Sequence, residues 1–138
     1  MRERRSVSAQ IRVLLADDEG IFVRSLAKVL AKKGIQAQTV SDGRLALDAL
    51  DQAEFDVIVL DLAMPNMDGL ATLEAIRQRD ITAPVVLLTG SIDMDRVTQA
   101  LKGGASEVLF KPCPVDDLVS AIENAYERKM AAQGVPLR

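Results

Sequence analysis

Four short apolar runs punctuate the chain, VLLA at 13–16, VIVL at 57–60, VVLL at 85–88 and VLF at 108–110, and each gives way at once to a polar or charged residue. The runs are continuous, partly β-branched and too short for helices, which is how strands read when a parallel sheet is covered on both faces. A weaker run, IQAQTV at 35–40, alternates and predicts an edge strand with one wetter face. Helical patterns fill the gaps. Residues 19–33 place Ile21, Phe22, Leu26, Val29 and Leu30 on one stripe, and Gly34 after Lys32 and Lys33 suits the helix end. Residues 43–53 carry Leu45, Ala46, Ala49 and Leu50, and residues 69–79 carry Leu70, Leu73 and Ile76. Residues 93–102 carry Met94, Val97 and Leu101 before Gly103 and Gly104, and residues 115–131 carry Leu118, Val119, Ile122 and Tyr126. Strand and helix therefore alternate as (βα)₅. Right-handed crossovers then give an α/β, doubly wound, five-stranded parallel sheet, for which the order 2-1-3-4-5 suits the element count. A dinucleotide fold is disfavoured, because the first turn reads ADDEG where that fold needs GxGxxG.

A chain of 138 residues suits one domain, and 49% hydrophobic with 27% charged residues is a globular balance. The net charge of -3 gives no electrostatic reason to expect nucleic acid on the surface. Histidine is absent, which excludes His-ligated zinc and every Ser-His-Asp triad. The single cysteine, Cys113, excludes an internal disulfide. No apolar run is long enough to span a membrane, and MRERRSVSAQ lacks the apolar stretch of a signal peptide, so a cytoplasmic protein is expected. Residues 1–10 read as a tail, 11–131 as the domain, and 132–138 as a second tail or the start of a linker.

Ligands of an open parallel sheet bind beyond the carboxyl ends of its strands. There the first strand delivers Asp17 and Asp18, the third Asp61, the fourth Thr89 and Gly90, and the fifth Lys111 and Pro112. Three carboxylates in one cleft repel one another, and a hard divalent cation relieves that; Mg²⁺ takes oxygen ligands and often shares its site with phosphate. Lys111 is a compact point charge suited to a phosphoryl oxygen, Thr89 offers a hydroxyl, and the amides near Ala63 and Gly90 add donors. This set describes phosphoryl transfer onto an aspartate. Asp61 stands alone at the end of the central strand and is assigned as acceptor, with Asp17 and Asp18 as metal ligands.

The stretches LLADDE at 14–19, VLDLAMPNMDG at 59–69, LLTG at 87–90, GA at 104–105 and FKP at 110–112 closely resemble the response-regulator receiver domain of two-component signalling. The resemblance runs from about Ile11 to about Ala125 and implies the flavodoxin-like three-layer sandwich with strand order 2-1-3-4-5. It implies that Asp61 takes a phosphoryl group from a phosphohistidine of a sensor histidine kinase or a phosphotransfer protein, as in a phosphorelay. Mg²⁺, with Mn²⁺ as a substitute, would be held by Asp18 directly, Asp17 partly through water, Asp61, and the Ala63 carbonyl. Lys111 would pair with the phosphate, Lys111-Pro112 would be cis, and Thr89 would be the switch hydroxyl. The family also implies a downstream output partner and permits a homodimer through the fourth helix, fifth strand and fifth helix, where Arg96, Lys102, Glu107, Asp117 and Glu123 lie. It implies no enzyme turning over a separate substrate, no direct nucleic-acid binding and no membrane. One position departs from the pattern: Val108 stands where the family usually has Tyr or Phe, and Phe110 on the same strand reads as core. Ala63 and Ser91 are small, so rapid self-dephosphorylation is not expected.

Plainer roles fit other residues. Asp42-Gly43 reads as a turn and helix start, Asp68-Gly69 as a shaper of the loop after Asp61, and Asp93 and Asp95 as first-turn acids. Met64 and Met67 read as loop packing, and Cys113 as a small packing residue. Two other functions compete with the phosphorylated switch. An enzyme of the haloacid-dehalogenase type wants a second aspartate two residues after the nucleophile, where this chain has Ala63. A degenerate receiver would act as a phosphorylation-independent binding module.

Overall fold

The computed structural model describes residues 11–134, with strands and helices alternating throughout. They are β1 (Arg12–Ala16), α1 (Gly20–Lys32), β2 (Gln36–Val40), α2 (Gly43–Gln52), β3 (Val57–Leu60), α3 (Gly69–Gln78), β4 (Val85–Thr89), α4 (Met94–Lys102), β5 (Glu107–Phe110) and α5 (Val115–Ala132). The five strands form one sheet in the order β2-β1-β3-β4-β5, and every pairing is parallel. This is the flavodoxin-like, doubly wound architecture. Residues 1–10 and 135–138, parts of the two expected tails, lie outside the described residues.

Alternate residues of each strand face opposite layers, so a continuous apolar run feeds two cores at once. On one side Leu14, Ile58, Leu60 and Leu87 pack with Leu47 of α2, Leu73 and Ile76 of α3 and Val97 of α4. On the other, Val13, Leu15, Val59, Val86 and Leu88 pack with Val23, Leu26 and Leu30 of α1 and Leu118 and Ile122 of α5. Full burial of one such side chain is worth about 1.5–3 kcal/mol, which is what fixes the strand register.

The helix starts follow capping chemistry. Asp42, Asp68 and Asp93 are the N-caps of α2, α3 and α4, and each side chain accepts backbone N–H bonds from the first turn. Gly34 follows the end of α1 at φ 85°, a left-handed position that favours glycine.

Several apolar residues expected inside are not there. The buried stripe of α1 is Val23, Leu26 and Leu30, whereas Ile21 is 78% and Phe22 37% exposed. Both stand in the first turn of α1, where the helix begins beyond the carboxyl edge of the sheet. Leu45, Met94 and Leu101 are exposed on their helices in the same way. Phe110, expected in the core, is exposed as well, and β5 as a whole is only half covered. The strand order explains this: β5 pairs only with β4 and forms the second edge of the sheet.

Candidate functional site

The strand-end residues singled out in the sequence lie at the carboxyl edge of the sheet, where Asp18, Asp61, Gly90, Lys111 and Pro112 line an open cleft of about 590 Å³. Asp17 follows β1 and is 2% exposed; its amide donates to Val40 O at 3.0 Å. Its Oδ1 accepts the Glu19 N–H at 2.9 Å. Its Oδ2 sits 2.6 Å from Lys111 Nζ, an ion-pair distance, but off the line of a hydrogen bond, so this buried oxygen has no directed donor. Asp61 follows β3, also buried, with its amide on Ala16 O at 3.0 Å. Its Oδ1 accepts the Ala63 N–H at 3.1 Å and its Oδ2 accepts from Lys111 Nζ at 3.3 Å. Asp18 is exposed and lines the cleft without joining the close carboxylate group.

Lys111 leaves β5 with its amide on Thr89 O at 2.9 Å, and its side chain is 14% exposed. The peptide bond to Pro112 is cis. Thr89 is fully buried at the end of β4, and its Oγ1 accepts the Ser91 N–H at 3.1 Å. Ala63 and Ser91 both line the cleft.

The electrostatics follow from one cation among several anions. Burial pushes the Asp17 carboxyl above its ordinary range, against the lowering effects of Lys111 and the Glu19 amide, and the charge of Asp61 adds to the rise. Burial alone would lower the Lys111 ammonium, but its ion pairs with Asp17 and Glu19 and the charge of Asp61 outweigh burial and raise it. Carboxylate oxygens of Asp17, Glu19 and Asp61 lie within 4.8 Å of one another. One ammonium cannot balance three such groups, and the undirected Asp17 oxygen is the acceptor a hard cation would use. The donor set, all oxygen, fits Mg²⁺.

Glu19 and Phe22 are the cleft residues that sequence reasoning missed. Glu19 pairs with Lys111, and the Phe22 ring lies over the same ammonium. The sequence signal for Glu19 is its place directly after two aspartates; Phe22 falls on the apolar stripe of α1 and so reads as core.

The loop after Asp61 is held from three directions. Asn66, at φ 66°, donates from Nδ2 to Asp42 Oδ2 at 2.9 Å. Arg96 of α4 donates to Leu62 O at 3.2 Å and to Asp68 Oδ2 at 2.9 Å, so its side chain is engaged within the chain. Gly69 donates its N–H to Leu62 O at 2.9 Å, and a Cβ there would lie 2.4 Å from Asp61 O, so no larger residue fits without a shift. Met64 and Met67 pack against the adjoining core, and Cys113 packs against the opposite one.

A family model for the response regulator receiver domain matches residues 13–123. The chain is 35% identical over 132 residues to the C4-dicarboxylate transport transcriptional regulatory protein DctD of Pseudomonas aeruginosa, covering 94% of this chain and 28% of that protein. It is 34% identical over 128 residues to the DNA-binding transcriptional regulator NtrC of Escherichia coli, covering 91% of this chain and 27% of that protein. The chain thus spans only about a quarter of the length of these two relatives. Among solved structures, the receiver domain of the Francisella response regulator 1452 superposes with a TM-score of 0.81 at 30% identity, covering 87% of this chain and 99% of that one.

Proposed function

The chain belongs to the response regulator receiver domain family, and on that premise we propose that it is a phosphorylation-dependent switch whose acceptor is Asp61. Receiver domains are signalling switches, and the acceptor role here rests on one observation: Asp61 Oδ2 faces the enclosed Lys111 ammonium across 3.3 Å at the floor of an open cleft. In the transfer, an Asp61 carboxylate oxygen forms the new bond to phosphorus as the phosphorus–nitrogen bond of a donor phosphohistidine breaks. Asp61 Oδ1 accepts the Ala63 N–H, and Oδ2, on the Lys111 side, is the attacking atom in this reading. Lys111 neutralises charge on the transferred group, and Thr89 supplies a hydroxyl to one of its oxygens. Mg²⁺, or Mn²⁺ in its place, would be held by Asp17, Asp18, Asp61 and the Ala63 carbonyl and would supply positive charge against the phosphoryl oxygens. The chain turns over no separate substrate in this reading; it records a signal from a histidine kinase or phosphotransfer protein in the cytoplasm and passes it to an output partner. The half-covered surface of α4, β5 and α5, with Leu101 and Phe110 exposed, is the expected contact for that partner or a second copy.

Intact mass after incubation with Mg²⁺ and acetyl phosphate tests this. One phosphoryl group is expected on the native chain, labile to hydroxylamine and absent from Asp61→Asn. No adduct with this donor or with a panel of active kinases would leave the binding-module reading, with Val108 as the first residue to restore to an aromatic.

A further inference from the structure

The first turn of α1 encloses Lys111 from the solvent side. Glu19 caps that helix through its carbonyl, which accepts the Val23 N–H at 2.9 Å, and its carboxylate pairs with the Lys111 ammonium. Three residues on, on the same side of the turn, the Phe22 ring sits over the same nitrogen, 4.9 Å from its centroid. The remaining contacts of that nitrogen come from the sheet edge, from Asp17 and Asp61. Phe22 belongs to neither hydrophobic core, and most of the Glu19 side chain is in solvent. Packing therefore accounts for neither residue, whereas the electrostatics of Lys111 accounts for both: a carboxylate neutralises the ammonium and an aromatic face attracts it.

We propose that Glu19 and Phe22 are positioning residues that clasp Lys111 and set where its ammonium stands during phosphoryl transfer; the proposal rests on the acceptor reading of Asp61. The two arms of the clasp act differently. Glu19 carries the same sign of charge as an incoming phosphoryl group, so it competes with that group for Lys111 and repels the donor. Phe22 attracts the ammonium without net charge, so it keeps its hold when Glu19 yields. Glu19 thus sets how much anionic donor is needed, and Phe22 sets how well Lys111 is aimed once the donor is in place.

Two readouts test this on the full chain. Acylation of Lys111 by acetic anhydride, read by peptide mass against the other lysines, reports its enclosure without any phosphorylation. Loading from acetyl phosphate with Mg²⁺ reports the reaction. Phe22→Leu is expected to raise Lys111 acylation about fivefold and to lower the maximal loading rate by a similar factor, with the half-saturating donor concentration unchanged. Phe22→Tyr restores both. Glu19→Gln raises acylation and lowers the half-saturating donor concentration about threefold. Lys111 acylation unchanged in Phe22→Leu, or not restored by Phe22→Tyr, overturns the clasp. If the native chain fails to load while acylation still follows the ring, the acceptor reading of Asp61 falls and the clasp stands.

Discussion

Asp42 carries two contacts on one carboxylate: Oδ1 caps α2 by accepting the Leu45 N–H, and Oδ2 accepts from Asn66 in the loop after Asp61. The Leu45 amide, followed by Asn66, holds its pKa below the ordinary 3.8. A carboxyl lowered in the folded state stabilises the fold above its unfolded pKa, and that stability is lost as pH falls through the folded value. Asp42→Ala is expected to cost about 1 kcal/mol at neutral pH, the typical worth of an N-cap. Asp42→Asn keeps the cap but not the charge, so its deficit against the native chain should shrink as acid titrations pass below pH 3.8. Melting temperatures across that range decide it. At this scale the sequence was only half legible. Asp42 before a glycine announces a helix start, but a bond to a residue 24 positions away leaves no mark in local pattern. The same holds for Lys111 and Glu19, which are 92 positions apart.

Elements were easier to read, because a strand buried on both faces must be apolar throughout and a helix must carry a stripe. All ten were therefore visible as alternating patterns, to within a residue or so at their ends. The errors fell where an element runs past the layer it packs on. Ile21 and Phe22 count as apolar in any periodicity, yet the first turn of α1 overhangs the sheet edge, and there an aromatic serves Lys111 instead of the core. Phe110 failed for the matching reason on the edge strand β5. Between elements, Arg96 ties α4 to the main chain beside Asp61. Arg96→Ala is expected to cost about 1 kcal/mol, since the pair with Asp68 is partly solvated. It should also speed amide hydrogen exchange across α4 more than across α5. Gly69→Ala forces a methyl against Asp61 O and should destabilise by about 1–3 kcal/mol, with loading slowed because the displaced carbonyl belongs to the acceptor itself. Thermal melts and intact-mass time courses check both effects.

For the whole molecule, the carboxylate cluster is expected to make stability depend on the cation bath. A ligand that binds only the folded chain stabilises it by about 2.7 kcal/mol at a hundredfold excess over its Kd, so the native Tm should climb with Mg²⁺. Asp17 is buried and raised, so its charge works against folding when no cation is bound. Asp17→Asn is accordingly expected to melt higher than the native chain in chelator and to lose the response to Mg²⁺. A native Tm indifferent to Mg²⁺ would remove the metal from the account.

The Thr89 hydroxyl reaches furthest beyond the cleft. Its oxygen already accepts the Ser91 amide, and the bonds among the described residues leave its own hydrogen uncommitted. It can therefore donate to a phosphoryl oxygen without letting go of Ser91. In the switch role proposed for it, Thr89 would act as a tow hook: a pull on its hydroxyl toward Asp61 would haul the β4–α4 loop along through the Ser91 amide. Ile92, the most exposed large apolar side chain among the described residues, rides on that loop. A chain with valine in place of the usual aromatic at position 108 would then report its state by where it carries a greasy fingertip, and a partner would read the signal by touch.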